Sequence, residues 1–193
     1  MVGKIQIITG CMFSGKTEEL IRRLHLLQYG QQSYLLFKPV IDDRYGKSVV
    51  STHYGRKLEA WVLEKDQESL EGLIAVVGKE AFDKADVIAF DEANFFSKNL
   101  PELCQRLSML GKRVIVVGLD RTFTGDPFVP MPDLLAIADD VLKLKAICVI
   151  CGKKATRSQR LIDGKPAPAN DPVIKVGGVG SYEARCRDCY KEG

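Results

Sequence analysis

The chain contains no uninterrupted apolar run approaching 18 residues, which predicts no membrane-spanning helix. It also lacks a one-signed charge excess: 28 Lys and Arg against 25 Asp and Glu leave a formal +3, spread along the chain. A balance that mild predicts neither nucleic acid nor a membrane surface as partner. The first residues, MVGKIQIITG, run directly into an apolar segment, so no signal peptide is predicted. Low-complexity tracts are absent, and the only internal repetition is a pair of CxxC motifs. What remains is globular in composition, 46% hydrophobic over 193 residues. That length fits one domain with a small appended module.

Against that background one stretch is specific. Ile5, Ile7 and Ile8 mark a short buried strand. Gly10-Cys11-Met12-Phe13-Ser14-Gly15-Lys16-Thr17 then matches G-x-x-x-x-G-K-[ST], and Leu20, Ile21, Leu24 and Leu27 follow at helical spacing. Between a strand and a helix, the backbone N–H groups of such a loop cradle a polyphosphate together with the helix N-terminus. In that reading Lys16 reaches the β- and γ-phosphates of ATP and the Thr17 hydroxyl faces Mg²⁺. The alternative is a tight glycine turn without a ligand.

Residues 3–8 read as a strand, 15–29 as a helix capped by Gly30, and 33–37 as a second strand ended by Lys38-Pro39. This is a β–α–β unit, whose right-handed crossover implies a parallel sheet. Further along, 58–63 and 85–90 read as strands, 67–80 and 99–110 as helices, and 113–118 as another strand. A loop over 119–130 precedes a short helical or turn element and a last strand at 141–144. The expected fold class is α/β, a P-loop NTPase-type parallel sheet flanked by helices over residues 1–145. From Ala146 onward Cys, Gly and Pro become dense and helical periodicity disappears, so residues 146–193 read as a small zinc-ribbon module.

That module carries Cys148-x-x-Cys151 and Cys186-x-x-Cys189. Four thiolates in two close pairs select Zn²⁺ or iron, and a site filled by protein sulfur leaves no position for water, so the zinc is expected to be structural. Two disulfides are the alternative, but CxxC pairs beside a nucleotide-binding loop fit a reducing cytoplasm and a metal better. The metal would staple the base of a long loop from Asp163 to Gly180, and a loop of that length is commonly functional. Of the two remaining cysteines, Cys104 reads as helix packing and Cys11 as an oxidation-sensitive thiol in the phosphate loop.

The strand at 85–90 runs directly into Asp91-Glu92. Phosphoryl transfer to an alcohol needs a cation near the β/γ oxygens and a group to take the hydroxyl proton. Asp91, immediately after the strand, reads as the Mg²⁺ organiser and Glu92 as general base; the alternative is that both cap the next helix. Asp42 and Arg44 are candidates for Mg²⁺ and phosphate contacts, or else part of a solvated loop. His53 reads as a phosphate contact or a surface histidine, and Phe95, Phe96, Phe123 and Phe128 as walls for a flat ring or as core. An acidic residue after such a strand also serves ATPases that activate water, and a zinc ribbon also serves nucleic-acid binding, so both classes stay open here.

With these residues collected, the chain closely resembles the zinc-containing thymidine kinases of mammalian cytosol, bacteria and poxviruses. GCMFSGKT stands where that family reads GPMFSGK[ST], and Asp91-Glu92-Ala93-Asn94-Phe95-Phe96 where it reads DE-x-Q-F-F. DDRY around Asp42 and Arg44, STH ending at His53, LDRTF…PF from Leu119 to Phe128 and the tail VGGVGSYEARCRDCY also match. The resemblance implies that Glu92 deprotonates the 5′-hydroxyl of thymidine. It implies a thymine site walled by Met12, Phe95, Phe123 and Phe128, with Ser158 and Tyr182 alongside. The base would be read by the main chain of a lasso loop over Val173, Ile174, Lys175, Val176, Gly177 and Gly178, with Arg160 nearby as a phosphate contact. It further implies structural zinc, a homotetramer, acceptance of deoxyuridine and feedback inhibition by dTTP. The chain departs from the family pattern at Cys11 for Pro, Asn94 for Gln, and Arg121 for a small or acidic residue.

Overall fold

The computed structural model describes residues 2–40, 49–51, 57–174 and 181–193. Its elements run β1 (Ile5–Gly10), α1 (Lys16–Tyr29), β2 (Tyr34–Pro39), β3 (Val49–Ser51), β4 (Lys57–Glu59), β5 (Trp61–Leu63), α2 (Leu70–Val77) and α3 (Lys79–Lys84). They continue with β6 (Val87–Phe90), α4 (Leu100–Met109), β7 (Arg113–Gly118), α5 (Met131–Ile137) and β8 (Asp140–Leu144). The last part holds β9 (Ala146–Ile147), β10 (Lys154–Ala155), β11 (Arg157–Ile162), β12 (Lys165–Pro166) and β13 (Tyr182–Arg185).

Six strands form one sheet in the order β5-β2-β6-β7-β1-β8, with every adjacent pair parallel. Side chains alternate across a strand, and here both faces are apolar. Ile7, Ile88, Phe90, Val114 and Val116 pack on one face with Leu73, Phe82, Leu103, Leu107 and Met131 of α2 to α5. Ile8, Val87, Ala89, Ile115 and Val117 pack on the other with Leu20, Ile21, Leu24 and Leu27 of α1. Burial on both faces is what allows an all-parallel sheet, and each of those four α1 side chains contributes roughly 1.5–3 kcal/mol.

Two expected elements resolve differently. The helix expected over 67–80 is two helices, because the Ser69 hydroxyl accepts the Gly72 N–H and caps α2, and Gly78, at φ 84°, ends it. The strand expected over 58–63 divides into β4, antiparallel to β3, and β5, at the edge of the main sheet.

Beyond β8 the parallel sheet ends. β9 pairs with β10, and β11 lies between β12 and β13, all antiparallel. The start of the long loop expected from Asp163 is therefore a hairpin, turning at Asp163-Gly164 with both residues at positive φ. The module is also built onto the glycine loop that follows β1. Cys11 packs with Ala146, Cys148, Ala155, Ala184 and Cys186, while Met12 and Phe13 pack against Phe123, Ala167 and Tyr182. Among the described residues no helix is long and apolar enough to cross a membrane.

Candidate active site

All six parallel strands deliver their C-terminal ends to one edge, where ligands of open α/β sheets bind. The loop after β1 has the geometry of a phosphate cradle. Gly10 sits at φ 149°, and a Cβ there would meet the Leu144 carbonyl oxygen at 2.5 Å. Gly15, at φ 83°, precedes α1, and no side chain caps that helix. Among the described residues the buried Ser14 hydroxyl finds no hydrogen-bond partner. Lys16 Nζ donates back to the Cys11 carbonyl at 2.9 Å. An uncapped helix N-terminus, an orphan hydroxyl and an ammonium are the donors a polyphosphate takes up.

Although β7 separates β6 from β1, Thr17 Oγ1 donates to Asp91 Oδ2 at 3.5 Å. Asp91 is buried, its N–H donates to the Phe37 carbonyl at 2.9 Å, and its Oδ1 accepts the Glu92 N–H at 3.0 Å. The hydroxyl and carboxylate together are hard oxygen donors of the kind that fit Mg²⁺. Glu92 holds φ 53° and ψ 41°, a left-handed conformation that costs a side-chain-bearing residue about 1–2 kcal/mol. It makes no side-chain cap for the turn Ala93–Phe95 that follows. Strain of this sort persists where a side chain must be aimed. Burial lowers the pKa of Lys16, and the charges of Glu92, Cys11, Asp91 and Asp120 oppose that shift. Those carboxylates therefore converge on the loop lysine.

Asp120 escaped sequence reasoning. It is buried after β7, with its carboxylate 2.7 Å from Lys143 Nζ of β8 and 3.7 Å from Arg121 Nε. The available signal was the likeness of RVIVVGLD to ADVIAFD, two apolar strands that each run into an aspartate. Asn94 is buried, and its Oδ1 accepts the Leu119 N–H at 2.9 Å, tying the turn after β6 to the loop after β7.

The aromatic residues divide. Phe123 and Tyr182 pack with Ala167, Met12 and Phe13 in one cluster, while Phe95 and Phe128 meet edge to face at 5.8 Å. Phe96 instead turns into the main core against Phe90, 5.6 Å away at 85°. Ser158 is buried, and its hydroxyl accepts the Met12 N–H at 3.0 Å. Val173 and Ile174 are exposed. Asp42, Arg44 and His53, with Lys175, Val176, Gly177 and Gly178, lie outside the described residues.

Arg160, expected near phosphate, directs its guanidinium elsewhere. It lies 5.1 Å from the Phe123 ring centre and 5.8 Å from that of Tyr182, pairs with Asp171 at 2.6 Å and donates to the Pro172 carbonyl. Tyr190, next to Cys189, donates its hydroxyl to the Phe123 carbonyl at 2.7 Å. Sequence reasoning missed both contacts.

The sulfurs of Cys148, Cys151, Cys186 and Cys189 lie within 4.8 Å of one another, and none is in a disulfide. Cys151 and Cys186 are 3.6 Å apart, close to the roughly 3.8 Å edge of a zinc–sulfur tetrahedron. Burial works against ionisation of Cys148, yet the backbone amides of Cys186, Cys151 and Ile150 pull its thiol down to about 6. Hydrogen bonding with Cys151 and Cys186 pushes the Cys189 thiol up to about 12. Four sulfurs this close ionise together only around a cation. Cys104 is fully buried in the core, and burial raises its pKa. Cys11 is 3% exposed, burial raises its pKa too, and its thiol faces the Ala155 carbonyl at 3.5 Å.

A family model described as thymidine kinase matches residues 3–190. The chain is similar to thymidine kinases of Halobacterium salinarum, at 46% identity over 97% of this chain and 94% of the relative, and of Haloquadratum walsbyi, at 44% over 97% and 95%. A thymidine kinase of Chloroflexus aurantiacus is 48% identical over 98% and 95% of the two chains. A solved genome packaging NTPase of Sulfolobus turreted icosahedral virus 2 aligns over 76% of this chain and 75% of its own at TM-score 0.47 and 16% identity, too distant to bear on the site. Matches of this identity over nearly the whole length agree with the strand, glycine loop, acidic pair and four-cysteine cluster seen here: the chain belongs to the thymidine kinase family.

Proposed function

We propose that the chain transfers the γ-phosphoryl group of ATP to the 5′-hydroxyl of thymidine, and of deoxyuridine, giving dTMP and ADP. The observation that carries this reading is the meeting of Thr17 with Asp91 at 3.5 Å beside a left-handed Glu92, in a chain whose relatives are thymidine kinases. The backbone of Gly10, Cys11, Met12, Phe13, Ser14, Gly15, Lys16 and Thr17 binds the phosphates, with Lys16 and Arg44 offsetting charge on the transferring group. Glu92 takes the proton from the 5′-oxygen as it attacks. Thr17, Asp91 and Asp42 would hold Mg²⁺, which would supply positive charge against the charge developing on the transferring phosphoryl group.

Met12, Phe95, Phe123 and Phe128 wall the thymine, Ser158 and Tyr182 complete the pocket, and the main chain of residues 173–178 reads the base as a lasso that excludes water. Residues 1–145 act as the nucleotide-binding domain and 146–193 as the zinc and lasso domain, with structural Zn²⁺ on Cys148, Cys151, Cys186 and Cys189. The protein works in the cytoplasm as a homotetramer inhibited by dTTP. Transfer of label from γ-labelled ATP across a nucleoside panel tests the reading. Thymidine-dependent product supports it, whereas thymidine-independent ATP hydrolysis overturns it.

A further inference from the structure

Among the described residues Arg160 is the largest of the fully buried side chains, at 1% exposure, and the reaction above leaves it without a task. A buried guanidinium is costly unless its donors are met, so its partners show what it is for. Those partners come from three places. Asp171 and Pro172 belong to the chain entering residues 173–178, Phe123 belongs to the loop after β7, and Tyr182 to β13. The backbone of Arg160 adds to this, since it pairs with Tyr182 in the β11–β13 register and its carbonyl accepts the Ala167 N–H at 3.0 Å. Arg160 Nη1 donates to the Pro172 carbonyl, while Nη2 and Asp171 Oδ2 meet as a close ion pair without hydrogen-bond alignment. A flat guanidinium can hold both and still lie against aromatic rings, and an ammonium cannot.

We propose that Arg160, with Asp171, is a positioning residue for the acceptor nucleoside: it fixes where the chain leaves the module at Asp171-Pro172 and holds the Phe123 and Tyr182 rings in place. The inference rests on the acceptor pocket assigned under the proposed function. Arg160 touches no reacting atom. Its effect falls on thymidine: Met12 and Phe13 pack on the same rings, but the polar contacts of the glycine loop, Lys16 to the Cys11 carbonyl and Thr17 to Asp91, do not pass through Arg160.

The test compares Arg160→Lys, Asp171→Asn, Asp171→Glu and Phe123→Ala in the full chain with its metal, reading kcat, KM for thymidine, KM for ATP, zinc content and Tm. Arg160→Lys and Asp171→Asn are expected to raise the thymidine KM about tenfold and leave the ATP KM within about twofold, with zinc retained. Asp171→Glu keeps the carboxylate and is expected to stay within about threefold of the parent. An unchanged thymidine KM in both Arg160→Lys and Asp171→Asn overturns the proposal. So does a parallel rise of both KM values with a falling Tm, the signature of a merely structural pair. Phe123→Ala separates the levels. If it raises the thymidine KM while Arg160→Lys and Asp171→Asn do not, only the positioning role is lost; if it has no effect, the pocket and the positioning role fall together.

Discussion

The Met12 N–H donates to the Ser158 hydroxyl at 3.0 Å, joining the glycine loop to β11 across 146 positions of sequence. Met12 also packs against the Phe123 and Tyr182 cluster, so one residue touches the donor cradle through its backbone and the acceptor wall through its side chain. Ser158→Ala leaves that amide without its partner, at a cost of about 1 kcal/mol. The expected result is a fall of about fivefold in kcat/KM for ATP and for thymidine alike. Steady-state kinetics with each substrate varied will show it. A loss confined to thymidine would mean that Ser158 serves the nucleoside alone.

Glu92→Gln keeps the shape of the side chain and removes its basicity. Turnover should fall by about 10²–10⁴-fold while both substrates bind within a few-fold of the parent. Near-parental turnover would refute the general-base role. Because Glu92 holds φ 53°, Glu92→Gly should also raise stability by about 1 kcal/mol while abolishing turnover. Thermal unfolding beside a turnover assay reads both at once.

The features legible in the sequence were the contiguous ones. The glycine loop, the Asp91-Glu92 pair and the two CxxC motifs are encoded by spacing within a few residues, and the structure brings the four cysteines together as that spacing implies. Orientation across a turn was not legible: Phe95 and Phe96 are neighbours, yet one meets Phe128 and the other enters the core. The break at Gly78 was hidden because Lys79 and Glu80 just beyond it are themselves good helix formers. The Arg160 clamp was hidden for a stronger reason. Its partners Phe123, Asp171 and Tyr182 lie far apart in sequence, and an arginine is ordinarily assigned to solvent or phosphate rather than to a buried aromatic site.

Metal removal should act on both substrates. Cys11 of the glycine loop shares a packed cluster with Cys148 and Cys186, so loss of the tetrahedral site loosens the phosphate cradle from below. Chelation or Cys148→Ser should lower Tm and weaken binding of an ATP analogue by at least about tenfold, along with thymidine binding. Calorimetry on chelated protein, with zinc added back, measures each effect. Full activity in protein shown to be metal-free would contradict the coupling.

The Tyr190 hydroxyl reaches the Phe123 carbonyl at 2.7 Å, and Arg157 lies 5.6 Å from the Tyr190 ring while donating to the Gly125 carbonyl at 3.3 Å. Phe123 is thus held at its backbone by Tyr190 and at its ring by Arg160. Tyr190→Phe deletes one hydrogen bond and leaves the ring and Cys189 in place. Thymidine KM should rise about three- to fivefold, with ATP KM and zinc content unchanged. Since both contacts act on the same phenylalanine, their losses should not add. Once Arg160→Lys has released the ring, the further cost of Tyr190→Phe should differ from its cost in the parent by about 0.5 kcal/mol or more. Strict additivity in that double-mutant cycle would mean that Tyr190 and Arg160 do not hold Phe123 jointly.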